Sequence, residues 1–94
     1  MKTVIEVIDE ILGSSAYIKV LDCLIDGREF DYSIKDIGKA ANITRQHTYK
    51  VINALLGHGV VKKTRLLSGI QLYQINEDNI IIRGLIEFKK KELW

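Results

Sequence analysis

The chain has 94 residues, 47% of them hydrophobic and 28% charged, with a net charge of +2, as befits one compact domain with an ordinary soluble balance. No apolar stretch approaches the roughly 18 residues that cross a bilayer, and the acids inside MKTVIEVIDEILG are unlike a secretory signal, so a cytoplasmic protein is expected. The single Cys23 excludes an intrachain disulfide, and with two distant His residues it falls short of the three or four ligands of a zinc site, so no metal or cofactor is expected.

Val4, Ile8, Ile11 and Leu12 recur at helical spacing before Gly13, which predicts a first helix over about residues 3–12. Ser14 or Ser15 caps a second, with the apolar stripe Ile18, Leu21, Leu24 and Ile25 and a break at Asp26-Gly27. Cys23 rides on this helix as a small, partly buried hydrophobe, the alternative being an intersubunit disulfide or a redox sensor. REFDY offers a brief extended segment, and Ser33, with Asp36 three residues on, caps a third helix, IKDIGKAA. After a break at Asn42-Ile43, Thr44 caps a fourth helix whose inward face is Thr48, Val51, Ile52 and Leu55 and which stops at Gly57 or Gly59. VVKKTRLL and IQLYQI then form a hairpin of several residues around Ser68-Gly69, with Gly supplying the unusual backbone angles and Tyr73 and Ile75 anchoring it to the core. The last helix, about residues 78–93, opens with acids and closes with lysines, in accord with the helix dipole.

Third helix, short turn and fourth helix have the order of a helix-turn-helix unit over about residues 33–58, and the hairpin over about 60–75 has the place of a wing. Charge is distributed to match. Gly38 to Asn76 holds six cations and no acid, while the rest of the chain holds eight cations and twelve acids. Phosphate neutralisation drives nucleic-acid affinity, and carboxylates on the same surface oppose it. The outward face of the fourth helix carries Arg45, Gln46, Tyr49, Lys50 and Asn53, with Thr44 and His47 at its N-terminal end. Arg pairs with guanine, Gln or Asn with adenine, and Lys or Tyr with phosphate. Lys39, Lys62, Lys63 and Arg65 extend the basic surface. Against this stand a merely solvated polar face, a half-buried structural role for His47 and a packing role for Tyr49.

SIKDIGKAANITRQHTYKVINALLGHGVVKK, with LYQI in the returning strand, resembles the winged helix-turn-helix core of small prokaryotic transcription regulators. The likeness extends to the multiple-antibiotic-resistance and arsenic repressors and to small winged-helix proteins of thermophilic archaea and their viruses. Fifteen isoleucines beside a single Met are in keeping with a thermophile. The wing is shorter than in the first group, and the Cys and His clusters of metal sensors are missing. The resemblance implies operator binding on double-stranded DNA by a homodimer. The terminal helices, through Val4, Ile8, Ile11, Ile81, Leu85 and Phe88, are the expected dimer interface.

The expectation is therefore a mainly α, α+β winged-helix domain over residues 1–94 that acts as a sequence-specific transcriptional regulator. Nonspecific architectural DNA binding and a winged-helix module for protein contacts are the alternatives. An enzyme is not expected: the GHG at 57–59 lacks the spacing of a phosphate-binding loop, and no nucleophile has an evident base.

Overall fold

A computed structural model gives the fold, and it describes Lys2, Thr3 and residues 15–93. The helix expected over 3–12, with Val4, Ile8 and Ile11, falls outside the described residues beyond Thr3, as does Trp94. The first described helix, α1, spans Ala16–Asp26, and the Ser15 side chain accepts from the Tyr17 N–H at 3.2 Å. It buries Val20, Leu24 and Ile25, whereas Ile18 and Leu21 of the expected stripe are only half-buried. The face is rotated because α1 packs on more than one partner, touching α2, α3 and β3 as they are defined below.

Strand β1, Tyr32–Ser33, leads directly into α2, Ile34–Ala41, so Ser33 is both strand residue and cap, its Oγ accepting from the Asp36 N–H at 3.1 Å. Helix α2 ends at Asn42, whose φ of 58° is the left-handed conformation that Asn tolerates. The Ile43 N–H then bonds to the Gly38 carbonyl at 3.0 Å and the Asn42 N–H to that of Lys39 at 3.3 Å, closing the helix in a paired C-terminal motif. Thr44 immediately caps α3, Arg45–Gly57, by accepting from the His47 N–H at 3.1 Å.

The two helices pack closely. A Cβ on Gly38 would sit 2.7 Å from Thr48 Oγ1 and 3.2 Å from the Ile43 carbonyl oxygen, so the crossing requires glycine. Thr48 is fully buried yet satisfied, its hydroxyl donating to the Thr44 carbonyl at 2.8 Å. Val51, Ile52 and Leu55 are buried on the same side, as the sequence predicts. Gly59, at φ 71°, closes α3 through the Val60 N–H bond to the Leu55 carbonyl at 3.2 Å.

Strands β2, Val61–Leu67, and β3, Ile70–Ile75, pair antiparallel in a sheet of order β1-β3-β2. Their turn is tighter than the several residues expected. Only Ser68 and Gly69 lie between the paired Leu67 and Ile70, and both have positive φ, 50° and 79°, so Ser68 shares the strained conformation with glycine. The register slips between Lys63, opposite Tyr73, and Leu66, opposite Gln71, leaving Thr64 and Arg65 together across from Leu72 in a β-bulge.

Helix α4 spans Ile80–Lys90, shorter than the expected 78–93. Asn79 starts it, accepting from the Ile81 and Ile82 N–H groups at 2.9 and 3.3 Å, so Glu77 and Asp78 precede the helix rather than occupying its first turn. The amides of Asn76 and Asn79 both donate to the Gly59 carbonyl, at 2.9 and 3.2 Å, fastening the start of α4 to the end of α3. At its other end Lys89 bridges Asp22 and Asp26 of α1. Ile82 and Ile86 join the core formed by the inward faces of α1, α2 and α3 with Val60, Val61, Tyr73 and Ile75. Among the described residues, no helix is long and apolar enough to cross a membrane.

Candidate nucleic-acid interface

Helical geometry sorts α3 into two faces. Thr48 is its one buried polar residue, whereas Arg45, Gln46, His47, Tyr49, Lys50 and Asn53 are all exposed. His47 is therefore no structural core histidine. Tyr49, 44% exposed, has room to act outward. Positions 45, 46, 49, 50 and 53 fall on one side of a 3.6-residue helix, which makes a continuous surface of long donors. Thr44, exposed at the helix start, spends one lone pair on its cap and keeps its hydroxyl proton for a ligand. Lys39, exposed on α2, lies one turn before that junction.

The wing cations do not form a single cluster. Lys63 pairs with Tyr73 and Lys62 with Gln74, so the two lysines project from opposite faces of the hairpin. Lys63 shares the face that continues into buried Tyr73 and Ile75. Arg65 is engaged elsewhere: its Nε and Nη2 donate to the two carboxylate oxygens of Asp31 at 3.0 and 3.2 Å, and the Thr64 hydroxyl donates to the same carboxylate at 2.6 Å. Two successive strand residues reach one carboxylate because the bulge turns both to the same side. The Arg65 hydrogen bond, followed by that of Thr64, holds the Asp31 carboxyl below its ordinary value.

Asp31 corrects the charge argument made from sequence. The stretch from Gly38 to Asn76 has no acid, but the folded wing borrows one from outside it, 34 residues away. No local pattern announces such a partner.

Between α3, the start of α2 and the wing runs a cleft of about 340 Å³, lined by Ser33, Lys35, Arg45, Tyr49, Gln71 and Tyr73 among others. Burial first, and then the neighbouring Tyr49, push the Tyr73 phenol upward, so it stays a neutral hydroxyl at physiological pH. Gln71 is already committed, its amide donating to the Arg65 and Leu72 carbonyls at 3.2 and 3.0 Å. The cleft thus sets two cations and two phenols along a concave surface suited to a phosphate-bearing strand. Lys35 and Ser33 are the functional candidates that sequence reasoning missed. Lys35 lies just before the acid-free run and beside Asp36, and its position on the first turn of α2 is the signal that marks it.

Among the described residues, no group of three or more His, Cys, Asp or Glu is placed to hold a metal ion. The arrangement supplies hydrogen-bond donors and positive charge.

Helices α2 and α3 with the β2–β3 hairpin define a winged helix-turn-helix fold. No protein-family model and no curated protein matches the chain in sequence. Solved structures do match. The homodimeric winged helix-turn-helix DNA-binding domain of a possible ArsR-family transcriptional regulator from Mycobacterium bovis aligns with a TM-score of 0.63 at 21% identity, over 90% of this chain and 76% of that one. MepR, a transcription regulator of the Staphylococcus aureus multidrug efflux pump MepA, gives 0.68 at 12% identity, over 93% and 66%. A mutant of Lactococcus lactis ZitR in complex with DNA gives 0.60 at 13%, over 80% and 53%, so the chain spans only about half of that protein's length. At such identities the likeness is one of fold.

Proposed function

We propose that this protein is a homodimeric transcriptional regulator that binds double-stranded DNA by sequence, with α3 in the major groove and the wing along the backbone. One observation carries this reading: every long polar side chain of α3 named above is exposed, on a helix whose opposite face is sealed into the core. Solved neighbours described as transcription regulators, one homodimeric and one bound to DNA, support it. Arg45, Gln46 and Asn53 read base edges; Thr44, Tyr49, Lys50, Lys39, Lys62 and Lys63 meet phosphates. Arg65 joins them only by leaving Asp31. Ile81 and Phe88, exposed on α4, contribute to the contact between subunits.

The test is selection from a pool of random duplexes at rising salt. An inverted repeat with half-sites about one helical turn apart supports the dimeric regulator. Tight binding without enrichment indicates an architectural protein, and no binding at low salt indicates a module for protein contacts. On the selected site, Arg45→Ala or Gln46→Ala should cost about 1–3 kcal/mol and relax discrimination. Lys62→Gln or Lys63→Gln should weaken specific and random DNA alike and lower the salt slope by about 0.9 for each lost contact. Identical behaviour of the two groups would refute this division of labour.

A further inference from the structure

Tyr73 carries a buried polar group to which the fold gives no protein partner. The residue belongs to the core and is only 6% exposed, yet it also lines the cleft between α2, α3 and the wing. Thr48, also buried, shows the usual arrangement, its hydroxyl donating to the Thr44 carbonyl at 2.8 Å. The Tyr73 hydroxyl makes no hydrogen bond to any described residue. Buried hydroxyls are ordinarily bonded and an unbonded one costs stability, so this one points to a partner that arrives from outside.

The cleft defines that partner. Lys35 and Arg45 are its charged residues, and no carboxylate lines it. Ser33 and Ile34 bring the first turn of α2, the positive end of its dipole, to the same wall. Tyr49 adds a second phenol from α3. Neutral donors and positive charge around a concave space without acids select an anion. Arg45 and Tyr49 come from the helix assigned above to the major groove, and a duplex that receives α3 brings its backbone oxygens to the same side of the molecule.

We infer that Tyr73 is a DNA-binding residue whose hydroxyl donates to one backbone phosphate seated in the cleft beside Lys35, Arg45 and the first turn of α2. This rests on the DNA-binding reading above and adds to it a contact of a different kind. Surface lysines follow a phosphate on flexible stems, whereas Tyr73, fixed by its packing in the core, offers a donor at a set point. It therefore sets the depth and register of α3 against the strand, and as a neutral group it releases no counterion.

Fluorescence anisotropy on a labelled duplex, with thermal melting beside it, tests the contact. Tyr73→Phe removes the hydroxyl and keeps the ring. It should bind about tenfold more weakly at every salt concentration, with an unchanged slope of log affinity against log salt, and should melt no lower than wild type. Lys35→Gln, at an exposed position, should instead lower that slope by about 0.9. Replacing the duplex phosphates one at a time by neutral methylphosphonates should reveal a linkage at which Tyr73→Phe costs nothing further. Inorganic phosphate, exchanged for chloride at constant ionic strength, should weaken wild type and Tyr73→Phe alike; a stronger effect on wild type overturns the strand contact and assigns the seat to the free ion. Wild-type protein that binds duplexes, with Tyr73→Phe equal to it in affinity, overturns the contact alone. So does a Tyr73→Phe variant that melts below wild type, because the hydroxyl then has a bond within the protein. Wild-type protein that binds no duplex overturns the DNA-binding reading, and this contact with it.

Discussion

Asp31 is the residue at which chemistry and fold meet. It is a carboxylate within the wing's reach, holding Arg65 at both oxygens and Thr64 besides. Because the bond to Arg65 lowers its folded-state pKa, its contribution to stability is complete above the ordinary carboxylate range, near about 4, and is lost as pH falls through the lowered value. Asp31→Asn should therefore melt slightly below wild type at neutral pH, with the gap closing in acid; a gap that widened in acid would contradict the pairing. The same substitution removes a negative charge and frees Arg65, so duplex binding at low salt should tighten a few-fold. Cys23 presents a contrasting case. Burial first, and then Asp22 and Asp26, push its thiol upward, which favours the protonated form and slows oxidation.

Among the elements, legibility follows locality. Caps and stops are written within three or four residues, so Ser15, Ser33 and Thr44 each start the helix assigned to them, and Gly59 stops α3. The buried stripe of α3 is equally plain, being set by one period and one core. Misjudged features depend on pairing or on competing caps. Asn79, the residue directly after Glu77 and Asp78, starts α4 because its side chain bonds two N–H groups at once. The bulge at Thr64-Arg65 depends on a partner strand that no window of sequence contains. Gly38 belongs to the same class, reading as an ordinary helix residue until Thr48 is placed against it. Gly38→Ala forces a Cβ into that contact and should cost roughly 1–3 kcal/mol, measured by chemical denaturation, despite alanine's better helix propensity. A neutral or stabilising result would mean that α2 and α3 separate easily.

At the scale of the molecule, α4 divides its apolar residues between two tasks. Ile82 and Ile86 are buried in the core, while Ile80 and Ile81 are 83% and 62% exposed and Phe88 41%. Leu85, also expected in the interface, is half-buried and packs against the core with part of its surface left open. The pair Ile81→Ser/Phe88→Ser should leave the helical content intact and weaken self-association at least tenfold in sedimentation. A wild type that sediments as a monomer at micromolar concentration would remove the dimer from the proposal. Spacing two recognition helices depends on such a contact.

The bulge in β2 bears on more than Asp31. β2 is the outer strand of the sheet, and its far side offers backbone groups that a neighbouring chain could extend into a growing ladder. Doubling two residues opposite Leu72 breaks that template in the middle, leaving Val61–Lys63 and Leu66–Leu67 as runs too short to recruit another strand. Together with the lysines on the first run, that interruption works against edge-to-edge stacking of a hairpin that carries exposed leucines at its tip.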